Sequence, residues 1–273
     1  MDRIVTIKFM DYMIKGKTME DLRHCEILKT NISVTNMQDT ISYINAHIEE
    51  LRGKYICVSN VHTTVMSYEN ERYREIQNGA AMALPDGAPL SSYSRKKGFK
   101  DARRVTGPDL MLELFRVSEK RGYRHFFYGA TQQTLDSMRR VLERDYSDVQ
   151  IAGMYSPPFR KLTQEEDEMI VNLINESKPD FIWVGLGAPK QEEWMYEHQD
   201  RLNGVMIGVG AGFDYLAGYI KRAPMWMQKI SMEWFYRLLQ DPSRLWKRYF
   251  TTNVKFIRFT RREDKGNKQE DGQ

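Results

Sequence analysis

From residue 27 onward the apolar positions follow two alternating periods. Short runs rich in β-branched, aromatic and aliphatic residues predict strands at 27–34, 55–58, 80–84, 124–128, 149–153, 181–184 and 205–209. Between them the apolar side chains return every three or four positions. Ile41, Ile44, Ile48 and Leu51 are spaced for one helix face behind Thr35-Asn36, either of which can cap it, and the segment stops at Gly53. Another helix is predicted over 63–77, closing at Asn78-Gly79. Thr106-Gly107-Pro108-Asp109 opens a third, with Pro108 near its first position and Asp109 favourable to its dipole. Thr131 caps a fourth, and Thr163-Gln164-Glu165-Glu166 spells a capping box for a fifth. Residues 95–104 read as a basic loop and Ser156-Pro157-Pro158-Phe159 as an irregular one. Strands alternating with helices of this length imply an α/β fold: a doubly wound, mainly parallel, Rossmann-like sheet covered on both faces. No internal repeat is present.

The pattern changes after Gly212. Met225, Trp226, Ile230, Trp234 and Leu238 line one side of a predicted helix, and Asp241-Pro242 starts another that carries Leu245, Trp246, Tyr249 and Phe250. The chain therefore divides into an N-terminal extension (1–26), a core (27–218), a helical appendage (219–260) and a polar tail (261–273) expected to be disordered.

Charge sharpens this division. The net charge of +4 conceals eleven Lys and Arg against two acids between Lys221 and Arg262, a local +9 that leaves the rest of the chain acidic. Basic residues interleaved with aromatics suit an anionic bilayer surface; the competing reading is that the aromatics pack on the core or form an interface between copies of a homo-oligomer. No recognition motif accompanies the charge, so nucleic acid is not an expected partner. Cys25 and Cys57 lack Cys-x-x-Cys spacing and fit reduced packing thiols of a cytosolic protein. Asp2, Lys8, Asp11 and Lys15 break the first seventeen residues, which resemble neither a signal peptide nor a spanning helix, so the protein is expected to stay inside the cell.

In a doubly wound sheet, ligands sit outside the carboxyl ends of the strands. Those ends carry Asn60, Asp86-Gly87, Gly129, the turn Gly185 to Gln191, and Gly208-Val209-Gly210-Ala211-Gly212. In the turn, Gly185 and Gly187 allow close backbone approach, Pro189 suits a first helical turn, and free amides there can bind an anion such as phosphate. A tight connection that binds nothing would use the same glycines. Lys190-Gln191-Glu192, polar where Leu or Ala would serve a helix equally well, favours the ligand. Asp86, between Pro85 and Gly87 at a strand end, is a candidate base if desolvated and a turn or capping residue if not. Of the five histidines only His62, two residues past a strand end, remains open as a site residue; His24, His47, His125 and His198 read as packing or surface residues. The run from Glu165 to Glu168 reads as a solvated helix start. There is no Asp-x-Asp pair, His-Glu-x-x-His, Walker A loop or Gly-x-Ser-x-Gly elbow, so neither a metal nor another cofactor is expected.

Together, Pro85-Asp86-Gly87, Thr106-Gly107-Pro108-Asp109-Leu110, Ser156-Pro157-Pro158-Phe159, Gly185 through Glu192, Gly208-Val209-Gly210 and Arg222-Ala223-Pro224 resemble the WecG/TagA/CpsF family of bacterial glycosyltransferases, in order, over residues 27–258. The resemblance implies metal-independent, inverting transfer of a sugar from a UDP-sugar to a polyprenyl-diphosphate-linked sugar at the cytoplasmic membrane face. In the best-studied members, N-acetylmannosamine goes to undecaprenyl-diphosphate-linked N-acetylglucosamine in wall teichoic acid or related glycan synthesis. The family's base matches Asp86, its strand-end asparagine Asn60, and its glutamine after the glycine turn Gln191. Its appendage arginines have Arg222, Arg237, Arg244 and Arg248 as candidates. Gly87, Thr106, Gly107, Asp109, Gly129, Gly185, Gly187 and Lys190 complete the expected substrate-binding set. Where the family often has threonine two residues before the asparagine, this chain has Val58, with Ser59 adjacent.

Two other functions compete. A nucleotide-dependent oxidoreductase uses the same sheet type, but its glycine fingerprint belongs after the first strand, and the run at 208–212 follows the last. A non-catalytic membrane- or polysaccharide-binding module would explain the basic aromatic appendage and leave Asp86 and Lys190-Gln191 without a task.

Overall fold

The computed structural model describes residues 22–229 and 232–270. Two strands, β1 (His24–Ile27) and β2 (Thr30–Ser33), form an antiparallel hairpin with His24 opposite Ser33. The main sheet comprises β3 (Tyr55–Ser59), β4 (Met82–Pro85), β5 (Arg124–Gly129), β6 (Gln150–Tyr155), β7 (Phe181–Gly185) and β8 (Val205–Gly208). Its spatial order is β4-β3-β8-β7-β5-β6 and every pairing is parallel. The helices are α1 (Met37–Ala46), α2 (Ile48–Leu51), α3 (Val61–Glu69), α4 (Glu71–Gly79), α5 (Ala88–Lys96), α6 (Gly107–Arg121), α7 (Gln132–Asp145), α8 (Gln164–Glu176), α9 (Lys190–His198), α10 (Gly212–Leu216), α11 (Met225–Lys229), α12 (Glu233–Gln240) and α13 (Pro242–Glu270).

Strand side chains alternate between faces, and the two cores follow that alternation. Ile56, Val58, Phe127, Phe181, Trp183, Val205 and Ile207 bury against α1, α6 and α7 on one face. Tyr55, Cys57, Phe126, Tyr128, Ile182, Val184 and Met206 bury against α4, α8 and α9 on the other. The three-layer α/β architecture read from the sequence is thus present, and Cys25 and Cys57 are buried free thiols. His125 also packs: its Nδ1 accepts from Trp183 Nε1 at 2.9 Å and its Nε2 lies 2.8 Å from Ser118 Oγ. Complete burial pushes its pKa down to about 3, so the ring is neutral.

Several element boundaries differ from expectation. The strand predicted over 27–34 is half of a hairpin, turning at Leu28 and Lys29 with φ of 51° and 62°. Leu28 is buried, so its packing offsets a backbone region that Gly or Asn would occupy more cheaply. The predicted 63–77 helix is two helices, because Asn70 ends α3 and caps α4, accepting from Tyr73 N at 3.0 Å. His47 likewise separates α1 from α2. The expected basic loop holds over 97–104, but its first two residues close α5, a helix not predicted from the sequence, which starts after Gly87 (φ 95°) and ends with Arg95 and Lys96 complementing its dipole.

The segment 261–273 departs most from expectation, since α13 continues to Glu270. Tyr93 donates to Asp264 at 2.8 Å, and Lys96 pairs with the same carboxylate. Further back, Phe256 is buried beside Tyr93, Phe259 stacks on Tyr68 at 4.7 Å, and Lys255 pairs with Glu69 at 2.8 Å. Positions 1–21 of the N-terminal extension lie outside the described residues, as do Ile230, named for the predicted amphipathic face, and 271–273.

Candidate active site

At the carboxyl ends of the strands a cleft of about 880 Å³ opens between the sheet, the glycine turns and the C-terminal helices. Its size falls within the roughly 300–1,000 Å³ common for small-molecule sites. The sheet order explains its position. From β3 the chain passes to β4 at one edge, whereas β5 and β6 occupy the other, and β8 and β7 return between them. The cleft lies over that reversal, where helices on opposite faces leave the strand ends uncovered.

Asp86 lines the cleft immediately after β4. Its backbone N–H donates to Ser59 O at 2.7 Å, tying the end of β4 to β3, and Val105 N donates to Pro85 O at 2.9 Å. No described side chain hydrogen-bonds its carboxyl. Burial, reinforced by the negative charge of Glu233 and opposed by Arg104 and Arg237, pushes its pKa up to about 7. That places a carboxyl at the pKa suited to a general base near neutrality. The next residue, Gly87, supplies the positive φ that lets α5 turn away without covering Asp86.

Asn60 faces the same cleft from the end of β3. Its Oδ1 caps α3, accepting from His62 N at 3.0 Å and Thr63 N at 3.3 Å, which leaves Nδ2 as the group free of the cap. Val58 also lines the cleft, whereas Ser59 is fully buried and donates to Gln77 Oε1 at 2.6 Å. The strand's period of two separates them: the Val58 position that meets the cleft has no hydroxyl, and Ser59 does not supply one there.

The turn after β7 places Gly185, Gly187 and Gln191 on the cleft wall. Gln191 is 5% exposed and its carboxamide nests against Gly208 and Gly210, where a Cβ would come within 3.1 and 3.3 Å of it. Its Oε1 accepts from Gly187 N at 3.2 Å and its Nε2 donates to Glu192 at 2.8 Å. Glu192 is fully buried and burial pushes its pKa to about 7. Gly187, with φ 77°, has open space where a Cβ would stand, as a wall facing a ligand requires.

Thr106 and Gly107 form the opposite wall, with Thr106 capping α6 and donating to Asp109 Oδ2 at 2.6 Å. Asp109 stands behind the lining and pairs with Arg222. Gly129 is not part of the lining; a Cβ there would lie 2.7 Å from the Gly185 backbone, so its smallness serves strand packing. Lys190 is exposed and outside the lining. Arg222, Arg237 and Arg248 do line the cleft, while the Arg244 side chain lies outside the described ones. Arg237 sits over Tyr215 at 5.6 Å with its Nε buried and without a hydrogen-bond partner. His62, left open by the sequence, lines the cleft with its pKa lowered by burial and by Arg248.

Three charged residues of the cleft, Arg104, Asp214 and Glu233, escaped the sequence reading. Arg104 was absorbed into a basic loop, yet it lines the cleft and donates to Glu233 Oε2 at 2.9 Å. Glu233 was counted only as a rare acid of a basic segment. Their one available signal was position: Arg104 falls two residues before the cap of α6, beside the Asp86 strand end. Among the described residues, no group of three or more His, Cys, Asp or Glu side chains is placed to hold a metal ion.

The description of the glycosyl transferase WecG/TagA/CpsF family matches residues 25–270. The N-acetylglucosaminyldiphosphoundecaprenol N-acetyl-beta-D-mannosaminyltransferase of Bacillus subtilis strain 168 is 31% identical over 216 residues, covering 78% of this chain and 82% of the relative. The protein of the same name from Staphylococcus aureus strain MW2 is 29% identical over 226 residues, covering 82% and 85%. Because the match spans β1 to the end of α13, and with them every strand end that builds the cleft, this chain belongs to the WecG/TagA/CpsF family and is a glycosyltransferase.

Proposed function

We propose that the protein transfers N-acetylmannosamine from its UDP derivative to undecaprenyl-diphosphate-linked N-acetylglucosamine, with inversion and without a metal, at the cytoplasmic face of the membrane, in the synthesis of a wall teichoic acid, capsule or exopolysaccharide. The names of the relatives support the sugar and the acceptor. The observation that carries the chemistry is Asp86, a carboxyl of pKa about 7 at the end of β4 that no described side chain hydrogen-bonds, in a cleft lined by Arg104, Arg222, Arg237 and Arg248.

In this reading the acceptor hydroxyl attacks the anomeric carbon as the bond to the UDP oxygen breaks. Asp86 takes the hydroxyl proton, and the electron pair of the broken bond leaves on the UDP diphosphate. The charge developing there needs fixed positive groups, which the arginines supply in a cleft partly shielded from water. Asn60 Nδ2 and the Gln191 carboxamide orient the sugars. In a metal-independent transfer, these side chains carry the whole task of stabilising the leaving group.

A lipid-borne acceptor requires a membrane surface. Trp226, Leu239, Trp246 and Phe250 on the C-terminal helices are each about 60% exposed, and Trp234 and Phe235 stand nearby on α12. Among the described residues no helix is long and apolar enough to cross a membrane, so these groups are assigned to its interface. The direct experiment incubates the protein with a panel of UDP-sugars and NAD(P), with a short-chain diphosphate-linked N-acetylglucosamine, and follows UDP release and disaccharide formation. Disaccharide from UDP-N-acetylmannosamine is expected; turnover with another donor alone would replace the sugar, and hydride transfer without UDP release would overturn the reading.

A further inference from the structure

Four arginines line the cleft, and two of them already hold an anion. Glu233, the first residue of α12, accepts from Arg104 Nη1 at 2.9 Å through Oε2, and its Oε1 lies 3.7 Å from Arg222 Nε. All three side chains are partly buried, at 18%, 25% and 30% exposure, so solvent screens them incompletely. Arg222 is also paired with Asp109 and held over the Tyr215 ring, which fixes its guanidinium independently of Glu233. A carboxylate between two guanidiniums presents to them what a phosphate group presents, two oxygens matched to N–H donors.

We propose that Glu233 is an internal ligand of the cleft: its carboxylate holds the place of a substrate phosphate group between Arg104 and Arg222, and a nucleoside diphosphate has to displace it. The inference rests on the donor reading given above. It gives α12 a defined part in binding. The helix lacks a side-chain cap at Met232 and buries none of its residues fully, so Glu233 is one of its firmest attachments to the core. The same helix exposes Trp234, Phe235 and Leu239, which places the competing anion and the outward aromatic face on one eight-residue element.

A carboxylate that only pinned α12 and one that competes with substrate give opposite signs on removal. Isothermal titration of the full chain with UDP, and separately with inorganic pyrophosphate, reads that sign in the wild type, Glu233→Gln, Glu233→Asp and Glu113→Gln. Glu113 pairs with Arg116 on an exposed face of α6 and serves as a charge control. Glu233→Gln is expected to bind UDP about tenfold more tightly, the size of one charge-assisted hydrogen bond freed from competition. Glu233→Asp, which keeps the charge and loses the reach, is expected to show part of that gain, and Glu113→Gln none. Equal or weaker binding of both probes by Glu233→Gln overturns the proposal, as does wild-type affinity in Glu233→Asp, which would leave through-space charge as the whole effect. If UDP binds none of the proteins while pyrophosphate binds Glu233→Gln more tightly, the internal ligand stands and the nucleotide donor falls.

Discussion

Replacing Asp86 by Asn is expected to abolish transfer and to make the protein more stable, and the second effect can be worked from the structure. Asp86 is held at about 7, against an ordinary 3.8. The sign follows from where the proton sits: between those two values the unfolded carboxyl is ionised while the folded one keeps its proton, so stability falls as pH rises through that window and the full cost is present above about 7. At about 1.4 kcal/mol per unit, the unscreened cost at pH 8 is about 4 kcal/mol. The cleft is open to water, which screens the carboxylate, so about 1–3 kcal/mol is expected. Asn has the same shape and no ionisation. Its melting temperature at pH 8 should therefore exceed the wild type's by roughly 3–8 °C, since a chain of this size gains about 2–4 °C per kcal/mol. At pH 4.5 the same linkage leaves about a quarter of that gain. Paired melting curves at the two pH values, with kcat measured at pH 8, test both statements. An Asn variant that melts below the wild type at pH 8, or gains equally at both pH values, would refute the buried-carboxyl argument. One retaining more than about a tenth of kcat would refute the base, whose usual contribution is about 10²-fold or more.

Other consequences are as direct. In the wild type, kcat/KM should fall on acidification below about 7 as Asp86 takes up its proton; a flat profile from pH 8 to 5.5 would exclude it as the base. Ser59→Ala should cost about 1–2 kcal/mol by stranding Gln77 Oε1, with KM for both substrates unchanged, because its hydroxyl is bonded away from the cleft; a raised KM in a folded variant would contradict that placement. Dialysis against EDTA should leave the rate unaltered, and loss restored by Mg²⁺ or Mn²⁺ would require a metal in the mechanism. Changing Trp226, Trp246 and Phe250 together to Ser should abolish sedimentation with anionic liposomes while leaving the melting temperature within about 2 °C, since each is well exposed; undiminished sedimentation would reassign the exposed aromatic face.

What could be read from the sequence was what recurs with a period or sits at a strand end. The six strands of the main sheet were legible because apolar runs of four to six residues alternate with helical spacing, and Thr106, Thr131 and Thr163 cap helices where their side chains suggested. The hairpin was not, because Leu28 and Lys29 make its turn without Gly, Asn or Asp. Nor was α5, whose composition of Ser, Lys and Arg hides the buried Leu90 and Tyr93. At the site, Asp86, Asn60 and the glycine turn stood at strand ends and were found. Arg104 and Glu233 meet across 129 positions of sequence, a contact that no local pattern announces. The strand period itself contained the answer to one open question: residues 57 and 59 share a face, 58 takes the other, and only 58 meets the cleft.

In the proposed function, the long C-terminal helix would bring the membrane and the chemistry together by its own geometry. Along α13, Leu245, Thr252, Phe256 and Thr260 bury, at spacings of seven, four and four, and seat the helix against α3 and α5. Trp246, Phe250, Val254 and Ile257 follow a second stripe at spacings of four, four and three, and remain exposed. A surface helix normally carries one apolar stripe, so a second needs its own apolar environment. From within the buried stripe and beside it, Arg248, Tyr249, Thr252 and Asn253 line the cleft. Two residues along α13, about 3 Å of rise and about 200° of rotation, separate Arg248 from Trp246 and from Phe250, so one stretch of helix turns one side to the cleft and the other to the exterior. A substrate with a diphosphate head and a hydrocarbon tail fits that separation, its head at Arg248 and its tail along the exposed stripe. Removing the segment after Gly218 is consequently no clean test of membrane binding, because it would also strip Phe256 and Phe259 from Tyr68, Tyr93 and Leu90. The exposed stripe can be altered without touching the buried one, and only such a change separates attachment to the membrane from the integrity of the cleft.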